Sequence, residues 1–322
     1  MSAKYLQRFY AGEVLAASRL MSLVEKGGDA AEAVLSELFP RMSRSYRVGV
    51  TGLTGAGKST LINALIRRYR DKGLTVGVVA EDPTSPFTGG AILGDRVRMQ
   101  DATGDEGVFI RSIASRGSET GFSSCASELA DVLDAFGRDI IFLETIGVGQ
   151  LEYRVRFSAH TTVVVLTPDA GDDVQSLKSG LMEVGDIFVV NKADRSHAQR
   201  YADDLRSMLE LRCVEGGWLP LVVGTVATRD EGIDELVESV DIHRSYLSQD
   251  DRMEQKRVTA LRNRTTMIVE EKLKEFFWKN AYIKEKLDGL LDAVVAGKKS
   301  PYEVAGEIIK PLKIEKKKGG TR

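Results

Sequence analysis

The sequence predicts a doubly wound α/β domain with helical additions at both ends, and three observations carry that prediction. Short, β-branched, nearly continuous apolar runs recur through the middle of the chain. Stretches with helical periodicity separate most of them, and a glycine-rich turn of the form G-x-x-x-x-G-K-S links the first run to the first such stretch. Strands that are apolar on both faces and alternate with helices belong to a parallel sheet covered on each side. The right-handed crossover rule then makes the domain doubly wound, over roughly 200 residues.

In chain order, Tyr10, Val14, Ala17, Met21 and Val24 form the stripe of one amphipathic helix, broken by Gly27-Gly28-Asp29. A second short helix runs through Val34, Leu35 and Leu38 to Pro40, so residues 1–44 read as an N-terminal helical extension, a small cap or packing arm. Strands are predicted at Tyr46–Thr51, Thr75–Ala80, Val108–Arg111, Asp139–Leu143, Thr161–Thr167, Asp186–Val190 and Leu221–Val226, with helices over Leu61–Tyr69, Leu129–Phe136 and Ile233–Val240. These elements define a P-loop nucleotide-binding domain over 45–247. Beyond it the strands stop. Residues 248–322 carry a charged helix with Val258, Leu261 and Ile268 in a stripe, then Leu287, Leu290 and Val294, a last helix from Ser300-Pro301, and a basic tail from Lys313 to Arg322. Long narrow stripes serve either packing on the chain's own domain or pairing with a second copy.

Composition narrows the function. The 322 residues are 43% hydrophobic and 29% charged, which suits a folded core. A net charge of −2 argues against nucleic-acid binding by bulk charge. The two cysteines, Cys125 and Cys213, exclude a disulfide framework, and three histidines without metal-type spacing argue against a zinc hydrolase. No apolar run approaches a membrane span, and Lys4 and Arg8 sit in an amphipathic pattern rather than a signal peptide. The expectation is a soluble protein of the reducing cytoplasm, with neither nucleic acid nor membrane as partner.

The chemistry begins at Gly52-Leu53-Thr54-Gly55-Ala56-Gly57-Lys58-Ser59, between a strand and a helix. Glycines there let backbone N–H groups wrap a phosphate, and the helix N-terminus favours the anion. Gly55, Ala56, Gly57, Lys58, Ser59 and Thr60 are the phosphate-binding candidates; Lys58 neutralises the β- and γ-phosphates and Ser59 offers its hydroxyl to Mg²⁺. Asn191-Lys192-Ala193-Asp194 follows an apolar strand. The Asp194 carboxylate can accept the guanine N1–H and 2-amino hydrogens, donors that adenine does not present, while Asn191 holds the base edge and the Lys192 stem covers its face. Two such motifs at strand C-termini make GTP/GDP the expected ligand rather than ATP. Glu144 ends the apolar run from Asp139, where a carboxylate can hold Mg²⁺, or can cap the next turn, and Gly147 can offer its N–H to the γ-phosphate. Asp82, after another strand, is a second candidate for the metal. Asp95 can reach metal or water and Arg98 can meet phosphate, or both are solvated charges.

The ordered series of the glycine-rich turn, Asp82-Pro83-Thr84-Ser85, Gly89-Gly90-Ala91-Ile92-Leu93-Gly94-Asp95-Arg96, Arg98-Met99, Glu144-Thr145-Ile146-Gly147-Val148-Gly149-Gln150 and Asn191–Asp194 resembles the MeaB/ArgK family of SIMIBI-class P-loop GTPases. That family comprises the methylmalonyl-CoA mutase-associated GTPases, chaperones of B12-dependent acyl-CoA mutases. The resemblance spans roughly residues 1–310. It takes in Gly171-Asp172, Gln175, Lys178-Ser179-Gly180 and His243-Arg244. It implies a Mg²⁺-dependent GTPase acting as a homodimer whose nucleotide state gates adenosylcobalamin delivery to a mutase and its protection. It also implies that Asp82, Asp95 and Glu144 surround the metal and that Lys178 is a switchable catalytic lysine beside Lys58 and Asp95.

Departures from the family pattern lie at Ser115–Phe122, where Glu119 and Thr120 replace an apolar residue and a glycine, and at Leu151–His160. These resemble partner-sensing segments. Among other functions, a nickel-delivery GTPase lacks its Cys-x-Cys or His-rich tract here. An ATPase or kinase linked to amino-acid transport conflicts with Asn191–Asp194, and a translation or targeting GTPase lacks a basic RNA-binding face. No autonomous catalytic base stands out, which suits GTPases that act by positioning and electrostatics and are completed by a partner.

Overall fold

A computed structural model describes residues 3–42, 44–82, 104–114, 124–147, 155–168, 181–211 and 217–310. The described residues form seven strands: β1 (Tyr46–Gly52), β2 (Val76–Asp82), β3 (Val108–Ala114), β4 (Ile140–Glu144), β5 (Thr161–Leu166), β6 (Ile187–Asn191) and β7 (Leu221–Thr225). They make one sheet in the order β3-β2-β4-β1-β5-β6-β7, with every pairing parallel. Parallel strands need long crossovers, which helices supply at α4 (Lys58–Asp71), α5 (Ser124–Ala135) and α6 (Ala198–Glu210), and α7 (Ile233–Leu247) follows the last strand. The chain leaves β1 toward β2 and later passes from β4 to β5 on its other side, so the topological switch lies at β1 and opens a crevice at the strands' carboxyl ends.

Alternation along the strands sorts side chains into two faces. Ile140 and Phe142, Val163 and Val165, and Ile187 and Val189 pack under α4 and α7. On the opposite face, Ile141 and Leu143 meet the N-terminal helices and α5, while Val164, Leu166, Phe188 and Val190 meet α6. Burial on both faces is why these strands read as unbroken apolar runs. Gly49 and Gly77 keep the second face close: a Cβ at Gly49 would stand 2.6 Å from Val155, and one at Gly77 2.9 Å from Leu133.

The N-terminal stripe divides differently from its sequence prediction. Helices α1 (Ala3–Tyr10) and α2 (Val14–Lys26) replace a single helix, because Gly12 takes φ +83° between them. Val14 is consequently exposed, while Ala17, Met21 and Val24 are buried. α3 (Asp29–Leu38) buries Val34 and Leu38 in the same cluster. The entry to β1 is held by Asp134, whose Oδ1 accepts the Arg44 and Ser45 N–H groups at 3.0 Å and whose Oδ2 accepts Arg47 Nη2 at 2.8 Å.

By contacts the chain falls into two compact units, Met1–Val258 and Thr259–Arg322. The second comprises most of α8 (Arg252–Lys279), with α9 (Ala281–Val295) and α10 (Pro301–Ile309). Its core is small: Ile283, Val304 and Ile308 are buried, with Leu287, Leu290 and Val294 beside them. A capping box starts α10, Ser300 accepting the Glu303 N–H and Glu303 accepting that of Ser300. Leu273, Phe276, Trp278 and Tyr282 are exposed on this unit. Among the described residues no helix is long and apolar enough to cross a membrane.

At the amino edge of the sheet a buried polar chain ties β1, β5, β6 and α7 together. The Tyr46 hydroxyl lies 2.6 Å from Thr161 Oγ1, which lies 2.8 Å from His243 Nδ1, and His243 Nε2 lies 3.6 Å from Asp186. Lys256 Nζ donates to the His160 carbonyl at 2.6 Å. Burial first, then the Arg47 and Lys256 charges, pushes His160 down to about 3. Burial likewise pushes His243 down to about 4, against the opposing pull of Asp186. Both imidazoles therefore fold neutral. As pH falls from about 6.5 toward 4, the unfolded chain takes up protons that the folded chain refuses, so stability declines in that window. A urea titration from pH 7 to pH 4 should show this loss, and His243→Gln, which keeps a hydrogen-bonding side chain without the proton, should make the decline shallower.

Candidate functional site: a phosphate and base cleft at the sheet's carboxyl edge

The loop after β1 is shaped by its glycines. Gly55 and Gly57 take φ +80° and +96°, and the first bond of α4 runs from the Leu61 N–H to the Gly57 carbonyl at 2.9 Å. Positive φ at both lets the loop turn sharply into the start of α4, and a helix N-terminus favours an anion. Lys58 is buried at the rim, its Nζ donating to the carbonyls of Gly52 at 2.8 Å and Leu53 at 3.1 Å. Gly147 presses on the same space: a Cβ there would come 2.5 Å from Lys58 Nζ and 2.9 Å from the Thr54 nitrogen. A side chain would fill the cradle that a phosphate needs.

Glu144 ends β4, which lies between β1 and β2, paired with Val50 on one side and Ala80 on the other. This register delivers its carboxylate to the start of α4, where Ser59 Oγ donates to Glu144 Oε1 at 2.7 Å. Asp82 ends β2 and is buried, as are Glu144 and Ser59. The donors are a hydroxyl and carboxylates, all hard oxygen. Among the described residues no three His, Cys, Asp or Glu side chains form a metal-holding cluster. Such a set fits a small hard cation that takes a hydroxyl and one or two carboxylates from protein and the rest from phosphate and water.

Asn191 ends β6 and joins the two halves of the cleft. Its Nδ2 donates to the Ala56 carbonyl at 2.8 Å, and its Oδ1 accepts Thr225 Oγ1 at 3.1 Å and the Ala227 N–H at 3.2 Å. Lys192 adopts φ 60° and reaches back so that Nζ donates to the Gly55 carbonyl at 3.0 Å. Asp194 pairs with Arg229 at 2.9 Å.

The cleft has a volume of about 510 Å³. Gly55, Gly57, Lys58, Ser59, Thr60, Asp82, Glu144, Asn191, Lys192 and Asp194 line it, and Ala56 and Gly147 lie against it through the contacts above. The structure thus gathers these candidates, drawn from the ends of four strands, into one space. Asp95, Arg98 and Lys178 lie outside the described residues, as do Glu119, Thr120 and Leu151. Sequence reasoning missed Glu81, which lines the cleft beside Asp82, and Val226, Ala227, Thr228 and Arg195 at the base end. The signal for the first three of the latter was available, since they come directly after the last strand at the same carboxyl edge.

Asn191→Ala removes the bonds from Asn191 to Ala56, Thr225 and Ala227 in a buried setting. We expect a loss of about 1–3 kcal/mol of stability in urea unfolding, alongside weaker nucleotide binding.

Comparison with known proteins agrees with this geometry. The family model described as methylmalonyl Co-A mutase-associated GTPase MeaB matches residues 17–282. A protein of Pyrococcus abyssi named as a GTPase is 46% identical over 84% of this chain and 84% of its own. The mitochondrial methylmalonic aciduria type A homolog of Mus musculus is 31% identical over 84% of this chain and 66% of its own. The crystal structure of a LAO/AO transport system kinase superposes with TM-score 0.75 at 26% identity, covering 96% of this chain and 97% of that one. With the family matched across most of its length and the guanine and phosphate motifs facing one cleft, the chain belongs to the MeaB family of P-loop GTPases and is itself a GTPase.

Proposed function

We propose that this protein is a Mg²⁺-dependent GTPase chaperone of an adenosylcobalamin-dependent, methylmalonyl-CoA mutase-like acyl-CoA mutase, gating cofactor loading and protection. The observation that carries the reading is the match to the mutase-associated GTPase family over residues 17–282. The mouse relative, named for methylmalonic aciduria, supports the same partner class.

In this reading the glycine loop and the start of α4 bind the phosphates through backbone N–H groups, and Lys58 exchanges its carbonyl partners for phosphate oxygens. Ser59, Asp82 and Glu144 hold the cation, which when bound neutralises charge on the β- and γ-phosphates. Asn191 braces the loop against the base pocket, and Asp194 accepts the guanine donors. Asp95 and Lys178 complete the catalytic set, as the family resemblance implies, and the mutase supplies the remaining stabilisation of the transferring phosphoryl group. The exposed apolar side chains of the second unit, Leu273 and Phe276 among them, suit pairing of two copies as a homodimer.

Lys58→Ala should leave the fold intact and weaken GTP binding by about 10- to 100-fold, the worth of a lost charge-assisted hydrogen bond, as read by fluorescent-nucleotide titration beside a thermal melt. The partner assignment is tested by turnover. GTP hydrolysis should be slow alone, faster with the cognate mutase, and little changed by an unrelated one, given the divergent segments at Glu119, Thr120 and Leu151. Mutase affinity should differ between a GTP analogue and GDP by about 5- to 150-fold. Equal rates and equal affinities throughout would leave a GTPase without this partner.

A further inference from the structure

We infer that Arg229 is a positioning residue for base selection: it holds the Asp194 carboxylate in the orientation that accepts both guanine donors. This rests on the reading that Asn191–Asp194 recognises the base. Arg229 Nη2 donates to Asp194 Oδ2 at 2.9 Å, bringing the loop after β7 onto the loop after β6.

The seat of Arg229 is well anchored. It closes the single helical turn Ala227–Arg229, with its N–H donating to the Val226 carbonyl at 2.8 Å. Val226 and Glu231 pair across the turn, and the next residue, Asp230, is ion-paired to Arg67 of α4 at 2.5 Å. Gly232 seals the turn against β7: at φ +73°, a Cβ would meet the Gly224 carbonyl oxygen at 2.1 Å.

A guanidinium delivered from so fixed a backbone restrains a carboxylate whose terminal torsion is otherwise broad. The carboxylate offers about four lone-pair sites, so Oδ2 can accept Arg229 and still leave sites on both oxygens for the N1–H and the 2-amino group. Lysine would supply the charge without the planar fork that fixes the angle. Arg229 therefore acts through Asp194, on discrimination between bases rather than on phosphate chemistry.

The test uses the full chain as wild type, Arg229→Ala, Arg229→Lys and Asp194→Asn, with kcat and KM measured for GTP, for ITP, which lacks the 2-amino group, and for XTP. Arg229→Ala should raise KM for GTP about 1.5- to fivefold, the range for an exposed ion pair, with the change confined to KM. Its preference for GTP over ITP should shrink by a similar factor, and Arg229→Lys should restore KM more fully than the preference. Tighter GTP binding by Arg229→Ala, or an unchanged preference, would overturn the inference. Asp194→Asn separates the two claims. A swing from GTP toward XTP supports base reading by Asp194, so that a silent Arg229→Ala then refutes the role of Arg229 alone. No swing refutes the base assignment itself, and the inference falls with it.

Discussion

The buried Asn191 side chain couples the cleft's parts, and most of the site's geometry stems from its hydrogen bonds. One amide uses both ends: the nitrogen holds the phosphate loop at Ala56, and the oxygen holds β7 at Thr225 and the turn beyond it at Ala227. An amide can do this because it carries donor and acceptor on one rigid plane, whereas a carboxylate of the same shape could only accept. Space enforces the contact as well, since a Cβ on Gly57 would fall 2.3 Å from Asn191 Nδ2. The phosphate loop and the loops at the base end are therefore mechanically linked through one side chain. Lys192 adds a second strut, its stem crossing from the end of β6 to Gly55.

The sheet supplies the other constraint. In a parallel sheet every strand runs the same way, so Gly52, Asp82, Glu144 and Asn191 all finish at one edge although they are far apart in sequence. Placing β4 between β1 and β2 puts a strand-terminal carboxylate one hydrogen bond from the first turn of α4. No loop has to be long to achieve this. The opposite edge, with His160, His243 and Asp186, is a structural counterpart, where neutral imidazoles satisfy buried groups and lower the protein's tolerance of acid.

The two compact units differ in how they are held. The first has large clusters on both sheet faces, whereas the second relies on a few residues around Ile283, Val304 and Ile308 and on helix caps. Hydrophobic side chains left on its surface are the kind of area that a second copy or another protein covers.

Local sequence was enough to reveal the strands, their direction and the phosphate loop. Burial on both faces leaves a local mark, and the turn needs glycines wherever φ is positive. Asn191–Asp194 and Glu144 were legible too, because each comes directly after or at the end of an apolar run. The break at Gly12 was not, since the stripe from Tyr10 to Val24 continues in register across a glycine, a residue found inside helices as well as at their ends. Nor were the strand order, the meeting of Ser59 with Glu144, or the pairing of Arg229 with Asp194. Those depend on which strands become neighbours, a choice made by the energy of the whole core and not by any stretch of local sequence.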